Sequence, residues 1–206
     1  MKNNSAMIYV VDDDNSVCRS TALLLQSNGF KVETFTTAED FLAFKHSKVA
    51  SCLVLDIRLP NINGFALQNI IAERGMVIPI IFITGHGNIP MSVKAMKAGA
   101  IDFLPKPFTE KKLVDAIVLA IAKSKIHNKQ QDEIAKIKRR VDTLSVRELE
   151  VFRFVAQGML NKQIAFKRGT AIQTIKVHRS RVMHKMQAKT VTELIHFARK
   201  AGLVSL

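Results

Sequence analysis

Ser51-Cys52-Leu53-Val54-Leu55-Asp56-Ile57-Arg58-Leu59-Pro60 is the stretch on which the reading of this chain turns. A short apolar run delivers one carboxylate, Asp56, and then breaks at a proline. Bounded by a turn signal, such a run has the pattern of a strand buried on both faces of a parallel sheet. Open α/β sheets bind ligands at the carboxyl ends of their strands, which is where Asp56 would stand. The plain alternative is an aspartate that caps a turn, and the surrounding sequence decides between the two.

Upstream, Ala6–Val11 reads as a first strand that runs at once into Asp12-Asp13-Asp14. Asp14 or Asn15 would cap a helix to about Gln26, with Gly29 as its stop. Lys31–Phe35 alternates as a second strand, and Thr37 with Asp40 resembles a capping box for a helix to about Phe44. Downstream, Asn63-Gly64 turns into a helix to about Glu73. Pro79–Thr84 is a fourth buried strand, and Gly85-His86-Gly87-Asn88 a flexible loop before a helix to about Ala98. Ile101–Leu104 is a short fifth strand leading through Pro105-Lys106-Pro107-Phe108 to a fifth helix capped by Thr109. Strands alternating with helices in this way predict a doubly wound, five-stranded parallel α/β sheet.

On that sheet Asp12, Asp13, Asp56, Thr84 and Lys106 all fall just past strand ends. Right-handed crossovers allow strands one and three to be neighbours at the switch point, so their terminal carboxylates converge. Carboxylates gathered in one cleft repel unless a cation holds them, and oxygen-only ligands favour Mg²⁺, which keeps waters and accepts a phosphate oxygen. A hydroxyl and an ammonium opposite would hold the remaining phosphoryl oxygens.

The 206 residues are 48% hydrophobic, an ordinary globular value, and contain no 18-residue apolar run of the kind that spans a membrane. The opening Met1–Ser5 is short and polar, unlike a signal peptide. Cys18 and Cys52 fall in a helix and a strand, as small buried residues of a reducing compartment, and the cytoplasm is the expected location. Charge separates the two halves. Residues 1–122 carry 12 Lys and Arg against 11 Asp and Glu, while 123–206 carry 19 against 6, nearly the whole net charge of +14. A neutral domain followed by a polyanion-binding one is the implied organisation.

Residues 123–143 lack Gly and Pro, and Ile126, Ile134, Ile137 and Val141 recur at roughly helical spacing. A mostly helical linker extending the fifth helix is expected, with a break near His127-Asn128. Beyond it Ser145 and Glu148 form a capping box ahead of an apolar run that Gly158 ends. Asn161–Lys167 is a short second helix, Ile172 to about Met186 a third, and Thr190–Ala201 a fourth. A short helix, a glycine-containing turn and a longer basic helix make a helix-turn-helix. On the third helix Ile175, Val182 and Met186 share one face, with Lys176, Arg179, Ser180 and Lys185 on or beside the opposite one, as entry into a major groove requires.

Residues 7–122 resemble a response-regulator receiver domain in the whole spacing of acidic pair, Asp, Thr and Lys-Pro. The resemblance implies a flavodoxin-like fold in which Asp56 is the phosphoacceptor for a histidine kinase or small phosphodonor. Asp12, Asp13, Asp56 and the Arg58 main-chain carbonyl would hold Mg²⁺, Thr84 and Lys106 would contact the phosphoryl group, and Phe103 would be the aromatic switch. The Lys106-Pro107 bond is a candidate for cis.

Residues 144–203 similarly resemble the LuxR-type helix-turn-helix of the FixJ/NarL class. Leu144-Ser145-x-Arg147-Glu148-x-Glu150-Val151, Asn161-Lys162-Gln163-Ile164-Ala165 and Thr174–Arg179 carry the likeness, while Gly85-His86-Gly87 and Met96–Ala100 point to the FixJ side. By position Lys176, Val177 and Ser180 would face base edges, and Arg179, Arg181 and Lys162 would contact phosphate, which positions without specifying. Two residues depart from the pattern. Arg168 replaces an apolar residue and would snorkel toward a phosphate. Ala171 replaces a Ser cap, a loss of about 0.5–2 kcal/mol unless the Thr170 hydroxyl substitutes.

The expectation is a two-domain regulator: a receiver over 1–122, the linker over 123–143, and a four-helix all-α DNA-binding domain over 144–206. Its partners would be double-stranded DNA with an inverted-repeat operator, a histidine kinase, RNA polymerase and, once phosphorylated, a second copy, with no membrane. Enzymatic chemistry would be confined to self-phosphorylation and autodephosphorylation at Asp56. Two rivals are an RNA-binding antiterminator built on a receiver and a Mg²⁺-dependent phosphatase with Asp56 as nucleophile. The second needs an acid/base carboxylate two residues on, where Arg58 stands.

Overall fold

A computed structural model describes residues 6–85 and 88–204; His86 and Gly87 of the predicted loop, and the polar Met1–Ser5, lie outside the described residues. The chain forms two compact units, Met1–Lys129 and Gln130–Leu206.

In the first unit, strands β1 (Met7–Val11), β2 (Lys31–Phe35), β3 (Ser51–Asp56), β4 (Ile80–Thr84) and β5 (Asp102–Pro105) pair in the order β2-β1-β3-β4-β5. Every pairing is parallel. The order reverses between β1 and β3, which makes the carboxyl edge of those two strands the natural ligand crevice. All six residues of β3 are buried, so the central strand can be apolar on both faces. Successive side chains leave a strand on opposite sides. Ile8, Val10, Cys52, Val54, Ile81 and Ile83 therefore meet Leu25 of α1 (Asn15–Ser27) and Leu113 and Ile117 of α5 (Glu110–Val141) on one face. Tyr9, Val11, Leu53, Leu55 and Phe82 meet α2 (Ala38–Ala43), α3 (Gly64–Glu73) and α4 (Ile89–Lys97) on the other, through Phe41, Leu67, Ile71 and Ala95.

The helix starts are fixed by local chemistry. Asp14 accepts from the Ser16 N–H ahead of α1, Thr37 from Asp40 ahead of α2, Asn63 from Ala66 ahead of α3, and Asn88 from Met91 ahead of α4. Gly64 does more than turn the chain. A Cβ there would run into the Asp56 main-chain carbonyl, and the Gly64 N–H donates to the Ile57 carbonyl at 2.9 Å. The fifth helix runs unbroken through His127 and Asn128, so the expected break is absent. Lys, Gln and Asn in that stretch are ordinary helix residues that need no interruption.

In the second unit the last turns of α5 join α6 (Val146–Ala156), α7 (Asn161–Arg168), α8 (Ile172–Met186) and α9 (Val191–Lys200). Ile137 is buried with Val151, Phe152, Val155, Ile164, Ile175, Val182, Met186, Leu194 and Phe197. The apolar stripe anticipated in the linker thus divides, with Ile137 and Val141 in this core and Ile126 in solvent. Ser145 and Glu148 close the capping box before α6. Helix α8 starts at Ala171 with no side-chain cap; Thr170 does not replace the missing serine.

Candidate functional site

The β1–β3 register sets the first site. Val11 pairs with Leu55, so the next residue of each strand, Asp12 and Asp56, emerges at the same edge. Both are buried, at 1% and 5% exposure. Lys106 reaches between them, its Nζ 2.6 Å from Asp12 Oδ2 and 3.0 Å from Asp56 Oδ1. The end of β4 positions that lysine, because the Lys106 N–H donates to the Thr84 carbonyl at 2.7 Å and Thr84 pairs with Pro105. Thr84 is itself buried at the same edge. The Lys106–Pro107 peptide is cis. Asp56 also accepts the Arg58 N–H, and Asp12 that of Asp14 at 3.1 Å.

Burial pushes the Asp12 carboxyl above its usual range, and the Lys106 hydrogen bond only partly opposes it. For Lys106 burial acts downward, but the bonds to Asp12 and Asp56 outweigh it and the ammonium is held above its usual value. The outcome is a lysine held in its charged form between the side chains of Asp12 and Asp56.

Of the three carboxylates expected at this edge, Asp12 and Asp56 are buried, while Asp13, next to Asp12 in the chain, is exposed. Among the described residues no three Asp, Glu, His or Cys side chains surround a common ion position. The buried donors Asp12 and Asp56 are nonetheless the all-oxygen kind that suits Mg²⁺. Phe103 is half-buried on the α4 side of the sheet and pairs in register with Phe82. It borders a groove of about 550 Å³ that Lys112, Asp115 and Leu119 also line.

In the second unit α8 turns Ile175, Val182 and Met186 inward, as the periodicity anticipated, and leaves Lys176, Val177, Ser180 and Arg181 exposed. Lys162 is exposed on α7. Arg179 lies deeper, and its Nη1 donates to Asn161 Oδ1 at 2.9 Å. Lys185 is not on the open face. Its Nζ bonds Glu148 Oε2 at 2.6 Å and the Thr143 carbonyl at 3.0 Å, because a long flexible stem lets a flanking lysine fold back. Arg168, expected to reach outward, is anchored 2.6 Å from Glu150 Oε1 with its side chain 28% exposed. One residue that the sequence reading passed over has a structural part here. Arg140 Nη1 donates to the Met186 carbonyl at 3.2 Å and so satisfies the C-terminal end of α8.

A parallel sheet with two carboxylates and a lysine at its switch point, in one chain with a basic helix-turn-helix, defines the class of signal-receiving DNA-binding regulators. The model for the response regulator receiver domain matches residues 8–118, and that for bacterial regulatory proteins of the luxR family matches residues 142–198. The chain is 43% identical to nodulation protein W of Bradyrhizobium diazoefficiens, over 98% of this chain and 88% of that protein. It is 40% identical to the transcriptional regulatory protein FixJ of Rhizobium meliloti, over 95% and 96% of the two chains. The structure of the response regulator StyR superimposes with a TM-score of 0.82 at 41% identity, covering 95% of this chain and 99% of that one. This chain belongs to the response regulators that carry a receiver domain and a LuxR-type DNA-binding domain, and is a FixJ-like transcriptional regulator.

Proposed function

We propose that this regulator is switched by phosphorylation of Asp56. The observation that carries the reading is the pair of buried carboxylates, Asp12 and Asp56, joined through one ammonium at the sheet's switch point. An Asp56 oxygen attacks the phosphorus of a phosphohistidine on a histidine kinase or of a small acyl phosphate. The bond from phosphorus to the donor breaks, and the leaving group keeps its electron pair. Asp12, Asp13, Asp56 and the Arg58 carbonyl would hold Mg²⁺, which when bound neutralises charge on the phosphoryl oxygens. Lys106 serves as a point charge that can follow the transferring group. The same residues release phosphate to water afterwards, and no other enzymatic activity is proposed.

The new charge draws the Thr84 hydroxyl inward, and the Phe103 ring moves into the space vacated. Phe103 lacks a hydroxyl, so this switch acts through packing alone. The response is a homodimer through α4 and β5. A stripe of Ile89, Val93 and Met96, 80%, 45% and 47% exposed, supports the α4 part at helical spacing. Two copies would present Lys176, Val177 and Ser180 to the bases of an inverted-repeat operator, with Arg179, Arg181 and Lys162 on phosphate. Recruitment of RNA polymerase and a cytoplasmic location complete the reading. The domains are taken as receiver 1–122, linker 123–143 and DNA-binding 144–206.

The test is molar mass in solution with Mg²⁺, before and after acetyl phosphate. Wild type is expected to gain one phosphoryl group and double in mass, and Asp56→Asn to do neither. Full dimerisation of phosphodonor-treated Asp56→Asn would overturn the assignment.

A further inference from the structure

A second cavity, of about 310 Å³, lies in the DNA-binding unit between α6 and the α7–α8 turn. Its polar lining is Arg147, Glu150, Arg168, Thr170, Thr174 and His178. Arg168 sits 2.6 Å and Arg147 3.6 Å from the Glu150 carboxylate, so one anion holds two guanidiniums at the cavity and leaves a positive excess. His178, on α8, completes the lining.

The location indicates what fills it. At 100° per residue, Val177 and Ser180 form the middle of the exposed face of α8, with Lys176 and Arg179 on one flank. Thr174, His178 and Arg181 lie on the other flank. A helix in a major groove about 12 Å wide runs between two phosphate strands. The Arg179–Asn161 bond lies on the first flank, and Thr174 and His178 of the second flank line the cavity.

The geometry points to a phosphate site in this cavity, one that receives a DNA backbone phosphate with Arg147, Arg168 and the Thr170 and Thr174 hydroxyls as donors. Arg168 then has a role: the arginine that replaces an apolar residue is what makes the lining of this cavity cationic. Glu150 is a positioning residue that aims both guanidiniums while opposing the phosphate charge. The inference rests on the DNA-binding class of this unit and is independent of Asp56, so failure of the phosphorylation switch leaves it standing.

The experiment uses the full-length unphosphorylated chain and a random-sequence duplex, with affinity followed against salt by fluorescence anisotropy. One phosphate contact accounts for about 0.9 in the slope of log K against log salt. Arg168→Met is expected to weaken binding roughly 5- to 10-fold and to reduce the slope by about 0.9, and Thr174→Val, which removes no charge, to weaken binding with the slope unchanged. Glu150→Gln, which keeps a hydrogen-bond acceptor but removes the opposing charge, is expected to tighten binding; a purely structural carboxylate would give no change or a loss. Thermal unfolding identifies a variant that has failed to fold, and Thr174→Val, which breaks no ion pair, then decides. A parallel titration of ¹⁵N-histidine-labelled protein with inorganic phosphate separates the sources. Shifts at His178 with an unaltered DNA slope in Arg168→Met would assign the cavity to a free phosphate and overturn the DNA contact. An unaltered slope in Arg168→Met with no His178 shift would overturn the site itself.

Discussion

The main-chain carbonyl of Asp56 occupies the space that a side chain at residue 64 would need. Strand β3 and the start of α3 therefore approach as closely as backbone allows, and the Gly64 N–H bond to Ile57 fixes the turn that follows Asp56. Gly64→Ala should force the two apart. Overpacking of this kind costs about 1–3 kcal/mol. The expected result is a lower melting temperature together with slower phosphoryl incorporation from acetyl phosphate. Unchanged incorporation would mean that the loop tolerates the displacement.

Lys106 is the cation that Asp12 and Asp56 share. Its ammonium is held above the usual value of 10.5, so its stabilising contribution is complete below that pH and is lost as pH rises through the raised value. Lys106→Met leaves two buried carboxylates facing each other. Broken buried pairs cost about 3–5 kcal/mol, and with the lysine side chain 24% exposed a loss nearer 1–3 kcal/mol is expected. Thermal unfolding should show the deficit near neutral pH and its partial recovery on acidification, as protonation of Asp12, whose carboxyl burial already holds above its usual range, relieves the repulsion. Mg²⁺ should stabilise the variant more than the wild type.

In the second unit the Lys185 hydrogen bond, helped by the Ser145 N–H, holds the Glu148 carboxyl below its ordinary value of 4.5. A depressed carboxylate stabilises above its unfolded pKa and ceases to do so as pH falls through the folded one. Glu148→Gln keeps an acceptor for Ser145 but loses the ion pair, and should cost about 1–2 kcal/mol at neutral pH. Wild-type and variant unfolding curves, followed in denaturant, should converge on acidification below the ordinary glutamate value. A difference that persisted in acid would point to packing as its source.

Ala171 opens α8 without a side-chain cap. Ala171→Ser should supply one and add about 0.5–2 kcal/mol to the stability of this unit. The gain is read by chemical denaturation, with DNA affinity unchanged or higher.

The fold and the pair Asp12–Asp56 were legible because their determinants are local and periodic. β3 is apolar throughout, Thr37 and Ser145 stand before helices, and carboxylates follow two strands that a parallel topology makes neighbours. What escaped depends on reach and contact in three dimensions. Arg168 reads as a residue directed to solvent, and only the fold brings Glu150 to it. Periodicity places Lys185 beside the DNA face, but a four-carbon stem carries its charge back to Glu148. Nothing in Asn63-Gly64 beyond a turn signal reveals that the glycine is demanded by the Asp56 carbonyl. Asp12 and Asp13 are chemically identical neighbours, and only their burial in the fold separates them.

Arg140 and Lys185 tie down the C-terminal end of helix α8, one on the carbonyl of Met186 and the other back to Thr143 and Glu148. A reading head fixed in this way meets DNA already ordered, so association does not have to be offset against the entropy of forming a helix. The heat-capacity change on binding should then scale with the surface covered, without the larger excess that accompanies folding on contact.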